Sequence, residues 1–162
     1  MLCFSYGSNM SSARLRDRVP SARFVAVAIL PAYRLRFHKV SSDGSGKCDA
    51  LETGNYNDRV FGVVYELADD EKLSLDSMEG LRFGYDEKVV EVITEQGKLN
   101  ILMYFATRVN SSLKPYCWYK EHVLIGAREH GLPPEYIAQI EAIAAVEDPD
   151  VTRGERELAI YC

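Results

Sequence analysis

Two places in the chain carry residue types suited to chemistry. The first is Tyr6-Gly7-Ser8-Asn9-Met10, close to the N-terminus. A glycine there can take φ > 0 and lets a ligand approach the backbone, and Ser8, Asn9 and Ser11 are each good helix N-caps. Free N–H groups at a helix start favour negative charge. Such a turn suits the carboxylate end of a small molecule; it equally suits a plain strand-to-helix junction whose Ser and Asn only cap the helix. The second place is Glu79, followed directly by Gly80. A carboxylate in the last turn of a helix faces the negative end of its dipole, and Asp76 adds a second acid one turn earlier on nearly the same face. Both disfavour the ionised form, and burial would act in the same direction. A carboxyl group that holds its proton near neutral pH suits general acid–base catalysis. The same pattern fits an exposed glutamate with a mild dipole penalty.

The other reactive side chains are less suggestive. His38 falls on the polar face of a strand, which predicts exposure. His122 and His130 share one helix without a serine-nucleophile motif. Cys117 beside Trp118 reads as a small core residue. The run Tyr116-Cys117-Trp118-Tyr119 suits packing and a site equally well, and Asp43 to Gly46 lacks phosphate-binding spacing.

The elements that must position these groups follow from periodicity. Met1 to Phe4 is an apolar strand leading into the turn, and Ser11 to Arg18 is a polar stretch that can be helical. Phe24 to Leu30 reads as a buried strand stopped by Pro31, and Tyr33, Leu35 and Phe37 alternate with polar residues as in a half-buried strand. Ser41 to Lys47 is a Ser/Gly/Asp loop, read as surface or as a mobile rim to a site. Ala50 to Tyr56 and Val60 to Leu67 are strand-like, and Gly62 inside the second predicts a bulge or close backbone approach. Asp69-Asp70-Glu71 opens a helix running to Glu79, with Gly80 as its stop. Tyr85 to Thr94 and Leu99 to Phe105 pair as a hairpin. Helices are predicted from Tyr116 to His130, with Gly131 as stop, and from Glu135 to about Val146. Residues 147–162 read equally as a short helix or a loose C-terminal arm. The fold class is mixed α/β (α+β): one domain over 1–162, with a small, mostly antiparallel β-barrel and peripheral helices.

Bulk properties narrow the function classes. A chain of 162 residues, 47% hydrophobic and 27% charged, is long enough for one sizeable core. Its net charge of −5 argues against nucleic acid and against an anionic membrane surface. The four cysteines and three histidines are scattered without metal-site spacing. No secretory signal is visible and the longest apolar runs are too short to span a bilayer, so a cytoplasmic home is expected.

Taken together, several fragments resemble the gamma-glutamylcyclotransferases. They are Tyr6-Gly7-Ser8-Asn9, Phe61-Gly62-Val63-Val64-Tyr65, Leu75-Asp76-Ser77-Met78-Glu79-Gly80 with Tyr85 after it, and Tyr119-Lys120 leading into Gly126 to Pro133 and Tyr136. The resemblance spans nearly the whole chain in the family's order. It implies a helix-decorated β-barrel and a cofactor-free reaction on a small-molecule γ-glutamyl substrate. There the free α-amine of the glutamyl group attacks its own γ-carbonyl, forming 5-oxoproline and expelling the amine. Glu79 matches the family's catalytic glutamate. The turn Tyr6, Gly7, Ser8, Asn9 and Met10 matches the substrate-binding segment, and Tyr85 and Tyr119 match substrate-contacting tyrosines. Some members pair as homodimers. The loop 41–49 lacks the Trp and Gly run of the animal enzymes, which leaves the departing amine open: an amino acid, an amine, or an antibiotic intermediate carrying a γ-glutamyl protecting group. A non-catalytic binding module on the same fold and a hydrolase are the competing classes.

Overall fold

The computed structural model describes all 162 residues. In chain order the elements are β1 (Leu2–Ser5), α1 (Ser12–Arg18), β2 (Arg23–Pro31), β3 (Tyr33–Val40), β4 (Gly46–Glu52), β5 (Arg59–Glu66), α2 (Lys72–Glu79), β6 (Tyr85–Thr94), β7 (Gly97–Ala106), α3 (Cys117–Glu129), α4 (Pro134–Glu141) and α5 (Val151–Leu158). Five strands close into a barrel in the order β1-β5-β2-β6-β7. Its main ladders are antiparallel, and the seam closes where β1 meets β7 in parallel at Cys3 and Leu102. Closure leaves no barrel edge unpaired. β3 and β4 form a separate two-stranded sheet. Its outer edge is tied to the chain after β7, through the Val40 N–H donating to the Arg108 carbonyl and the Asn110 N–H donating to the His38 carbonyl.

The barrel forms because its strands alternate β-branched and aromatic residues that the interior can bury. Phe4, Val64, Tyr65, Val92 and Met103 are each no more than 2% exposed, and burying one such side chain is worth about 1.5–3 kcal/mol. Gly62 allows the close approach expected of it: a Cβ there would lie 2.5 Å from the Ser5 carbonyl oxygen. β6 and β7 pair as the expected hairpin, in unbroken register from Tyr85↔Ala106 to Thr94↔Gly97, but β7 begins at Gly97 rather than Leu99, with only Glu95 and Gln96 between the strands. The helix ending at Glu79 stops at Gly80, which is left-handed at φ 66°.

Three further expectations change, and one reading left open is decided. β2 is not buried throughout: a register shift between Phe24 and Ala26 turns its start outward, leaving Phe24 49% exposed while Ala28 and Leu30 are buried. β4 begins at Gly46 rather than Ala50, because the Gly46 N–H is held by the Lys114 carbonyl and β4 pairs along β3 from that end. α4 stops at Glu141 rather than near Val146. The Lys120 ammonium takes the carbonyls of Glu141 and Ile143, each at 2.7 Å, and Val146 bridges to Tyr116 instead. Of the two readings of residues 147–162 the short helix is the one found, α5, and it is docked. Asp150 caps α5, Arg153 forks onto both oxygens of Asp148 at 2.6 Å, and Asp148 accepts the Trp118 indole N–H at 2.7 Å. No helix is long and apolar enough to cross a membrane.

Candidate active site

β1 delivers Tyr6–Met10 to the mouth of the barrel, beneath α2 and α3. Gly7 does not use positive φ; it sits at φ −111°, ψ −140°. Glycine is needed there for space, since a Cβ would lie 2.9 Å from the Cys48 Cβ and 3.4 Å from the Tyr119 hydroxyl. Ser8–Met10 form a single 3-10 turn. Of the three capping candidates Ser11 does the work on α1, its Oγ accepting the Arg14 N–H at 3.3 Å. The Gly7 N–H donates to no acceptor within the protein.

Glu79 stands against this turn. The Asn9 side-chain amide donates to Glu79 Oε1 at 2.7 Å, and Arg18 Nη1 donates to Asn9 Oδ1 at 3.1 Å. The same Arg18 nitrogen is 3.7 Å from Glu79 Oε1. These two neighbours dictate the amide's orientation: the carboxylate meets its NH2 and the guanidinium meets its oxygen. Glu79 Oε2 has no hydrogen bond within the protein. The second negative charge expected beside Glu79 is engaged elsewhere. Asp76 receives the Lys72 ammonium at 2.7 Å on both oxygens, and the Tyr104 hydroxyl donates to it. Lys72 and Arg18 therefore supply positive charge that helix geometry alone did not reveal.

Tyrosines build the opposite wall. The Tyr6 hydroxyl donates to the Tyr104 carbonyl at 2.6 Å and the Tyr85 hydroxyl to the Cys48 carbonyl at 2.5 Å. The Cys48 N–H donates to the Tyr119 hydroxyl at 3.1 Å, which leaves the Tyr119 hydroxyl hydrogen available. Burial pushes the phenols of Tyr6, Tyr85 and Tyr119 well above 10, so each is a neutral donor rather than a base. Burial likewise pushes the Cys3 and Cys48 thiols, both at the cavity, up to about 12. Neither is a nucleophile near neutral pH.

One cavity is thus lined by Tyr6, Gly7, Ser8, Asn9, Glu79, Tyr85 and Tyr119. Met10 is not among them. It is fully buried below the turn, where its carbonyl accepts from the Tyr65 hydroxyl at 2.7 Å. Cys3, Cys48 and Tyr104 line the cavity without having been singled out from sequence. His38 is not exposed on a polar face: its Nε2 lies 2.7 Å from Asp49 Oδ2, with 13% of the side chain accessible. The loop 41–47 is pinned rather than free. Ser45 is buried, the Tyr116 hydroxyl donates to the Asp43 carbonyl, and the Lys47 ammonium bonds Asp43 at 2.7 Å. That ammonium lies over the rings of Trp118 and Tyr119, 4.4 and 4.5 Å from their centroids, which fixes the wall behind Tyr119. No three His, Cys, Asp or Glu side chains converge closely enough to hold a metal ion.

A buried relay supports the turn from below. Arg14 Nη1 meets His122 Nε2 at 2.9 Å, and His122 Nδ1 lies 2.6 Å from the Tyr161 hydroxyl, which donates to the Ser11 Oγ at 3.0 Å. Since arginine only donates, Nε2 accepts and the neutral Nδ1–H tautomer follows from the geometry. Burial holds the His122 pKa below 6.5, outweighing Glu157. The contacts with His122 and with the Arg14 guanidinium bring Glu157 down to about 2 from 4.5, although its partial burial opposes this. Both shifts have the same sign for stability. Each group has a lower pKa folded than unfolded, so its contribution is complete above the unfolded value and fades as pH falls below it. The melting temperature is therefore expected to drop first as pH passes below 6.5 and again from 4.5 toward 2. Thermal melts of Glu157→Gln should keep the first step and show a smaller second one, because Asp43, brought to about 2 by Lys47 and Ser45 against its partial burial, still titrates there.

Comparison with known proteins adds four findings. The model of the AIG2-like family matches residues 59–140, from β5 to α4. A human protein named gamma-glutamylcyclotransferase is 35% identical over 151 residues, covering 88% of this chain and 78% of that one. A mouse protein of the same name is also 35% identical, over 95% of this chain and 82% of its own. Among solved structures, one described as a gamma-glutamyl cyclotransferase superposes with a TM-score of 0.85 at 31% identity, covering 96% of this chain and 95% of that one.

Proposed function

The chain belongs to the gamma-glutamylcyclotransferase family and is an enzyme of that type, and from that premise we propose that Glu79 moves both protons in the cyclisation of a γ-glutamyl amino acid or amine to 5-oxoproline. The observation that carries this reading is a carboxylate with one free oxygen at a cavity, facing neutral hydroxyl and amide donors, with no activated nucleophile beside it. In this chemistry the nucleophile arrives with the substrate.

The steps balance without a cofactor. The α-amine nitrogen attacks the γ-carbonyl carbon and closes a five-membered ring, while Glu79 Oε2 takes a proton from that nitrogen. The γ-carbonyl oxygen gains negative charge, and the Gly7 N–H and the Tyr119 hydroxyl donate to it; neither hydrogen is used within the protein, which supports this role. The oxygen's electron pair then re-forms the carbonyl, the γ-amide C–N bond breaks, and Glu79 returns its proton to the departing nitrogen. The products are 5-oxoproline and a free amine. The backbone N–H groups of Ser8 and Asn9, in the 3-10 turn, hold the α-carboxylate. Holding the glutamyl chain folded, amine against carbonyl, converts an open-chain encounter into a ring closure.

A panel of γ-glutamyl amino acids and γ-glutamyl amines tests the reading. Purified protein is expected to release 5-oxoproline and amine in equal amounts from at least one of them. Release of free glutamate instead would mean hydrolysis and sink the proposal.

A further inference from the structure

Arg18 lies outside every motif that identified the site, yet its guanidinium is part of the Glu79 hydrogen-bond chain. It sits in the last turn of α1, one turn beyond Arg14 on the same face. Arg14 turns inward to His122 and Glu157, whereas Arg18 turns to Asn9. A cation at a helix C-terminus needs no special explanation. What needs one is its partner, since Arg18 meets a neutral amide at 3.1 Å more closely than it meets the Glu79 carboxylate at 3.7 Å.

We propose that Arg18 is a positioning residue, which locks the Asn9 amide with its NH2 toward Glu79 and so fixes the Glu79 carboxyl with Oε1 occupied and Oε2 open to substrate. This inference rests on the cyclotransferase reading of the cavity. An asparagine amide has two nearly isosteric orientations. In the observed one, its oxygen faces Arg18 and its nitrogen faces Glu79. Reversing it would set the amide oxygen against the carboxylate and the NH2 against the guanidinium, two repulsive contacts in place of two attractive ones. Arg18 thus removes the wrong orientation without touching the substrate. Its side chain is 24% accessible and that of Glu79 16%, so both lie where water is scarce and such contacts are strong. One oxygen is kept as a fixed acceptor, and the proton is directed to the other.

The test is a double-mutant cycle with Arg18→Met and Asn9→Ala, read as steady-state kinetics of 5-oxoproline release. Arg18→Met is expected to lower kcat by about 10- to 100-fold with KM nearly unchanged. In the Asn9→Ala background the same change should have almost no further effect, because Arg18 acts through Asn9. Arg18→Lys keeps the charge but not the planar fork and should recover only part of the rate. Additive losses, or a raised KM at constant kcat, would show instead that Arg18 binds substrate or only supports the fold. A second readout does not depend on turnover. In 15N NMR of the unliganded protein, the Asn9 side-chain NH2 should lose its hydrogen-bonded shift in Arg18→Met and keep it in wild type. An unchanged NH2 signal overturns the proposal. A wild-type protein that releases no 5-oxoproline overturns the cyclotransferase reading, and the NMR arm still decides the role of Arg18.

Discussion

Glu79→Gln is expected to lower the rate of 5-oxoproline formation by about 10³-fold while leaving the fold intact. Glutamine keeps the side-chain volume, and its amide oxygen can still accept from Asn9 where Oε1 now accepts at 2.7 Å. What it loses is the ability to take a proton and return it. Its nearest cation, Arg18, is 3.7 Å away, beyond hydrogen-bond reach, and the Asn9 bond is kept, so the melting temperature should move by only a few degrees. Glu79→Asp separates position from chemistry: the acid stays but withdraws by one methylene from both Asn9 and the cavity, so its loss should be smaller. Initial rates of 5-oxoproline release, alongside thermal melts, check both variants. If Glu79→Gln kept a tenth of the wild-type rate or more, a general acid–base role worth ~10²–10⁴ could not belong to this residue.

How far the sequence could be read depended on how local the cause was. The β6–β7 hairpin is set by alternation and a turn within twenty-two residues of chain, and the two strands pair with each other as expected, although the turn is two residues shorter. The end of α2 at Gly80 is likewise a matter of one left-handed residue. The closure of the barrel is different. β1 meets β7 through a single parallel pair, Cys3 and Leu102, and nothing in either strand's own pattern names the other. α5 was ambiguous because its residues are mostly polar and exposed; what holds it is Asp148 between Trp118 and Arg153, a contact reaching back to α3.

The site shows the same division. Tyr6, Gly7, Ser8, Asn9, Glu79, Tyr85 and Tyr119 were picked out by motif and lie around one cavity. Their physical roles were less legible. Gly7 was expected to exploit positive φ and instead makes room for Cys48 and Tyr119. Met10 travels with the motif but turns into the core. The charge environment of Glu79 was read from its own helix as wholly negative, whereas Arg18 and Lys72 balance it through contacts with Asn9 and Asp76. The Asn9–Glu79 bond spans 70 residues of sequence and the Tyr6–Tyr104 bond 98. Helix dipoles and spacing cannot reveal partners that distant.

The strongest link between fold and site is Gly126, in the middle of α3. A Cβ there would lie 2.5 Å from the Ser11 nitrogen and 2.6 Å from the Met10 carbonyl carbon, which are backbone atoms of the segment joining the Tyr6–Met10 turn to α1. Gly126→Ala sets two effects against each other. Alanine in a helix interior gains about 1 kcal/mol of propensity over glycine. Overpacking a close-packed contact costs about 1–3 kcal/mol, and here the obstructing atoms are backbone on both sides, so the cost falls at the upper end. The net expectation is a loss of about 2 kcal/mol, a fall in melting temperature of roughly 4–8 °C for a chain of this size. Activity should suffer more than stability. Pushing α3 away from Ser11 moves the turn that carries Gly7 and Asn9 relative to Glu79 on α2, and a misplacement of about 1 Å can lower a rate by about 10²-fold. The result to look for is a folded protein with a modestly reduced melting temperature and a disproportionate loss in kcat. A variant more stable than wild type, as helix propensity alone would give, would mean that α3 is not seated on the turn as described.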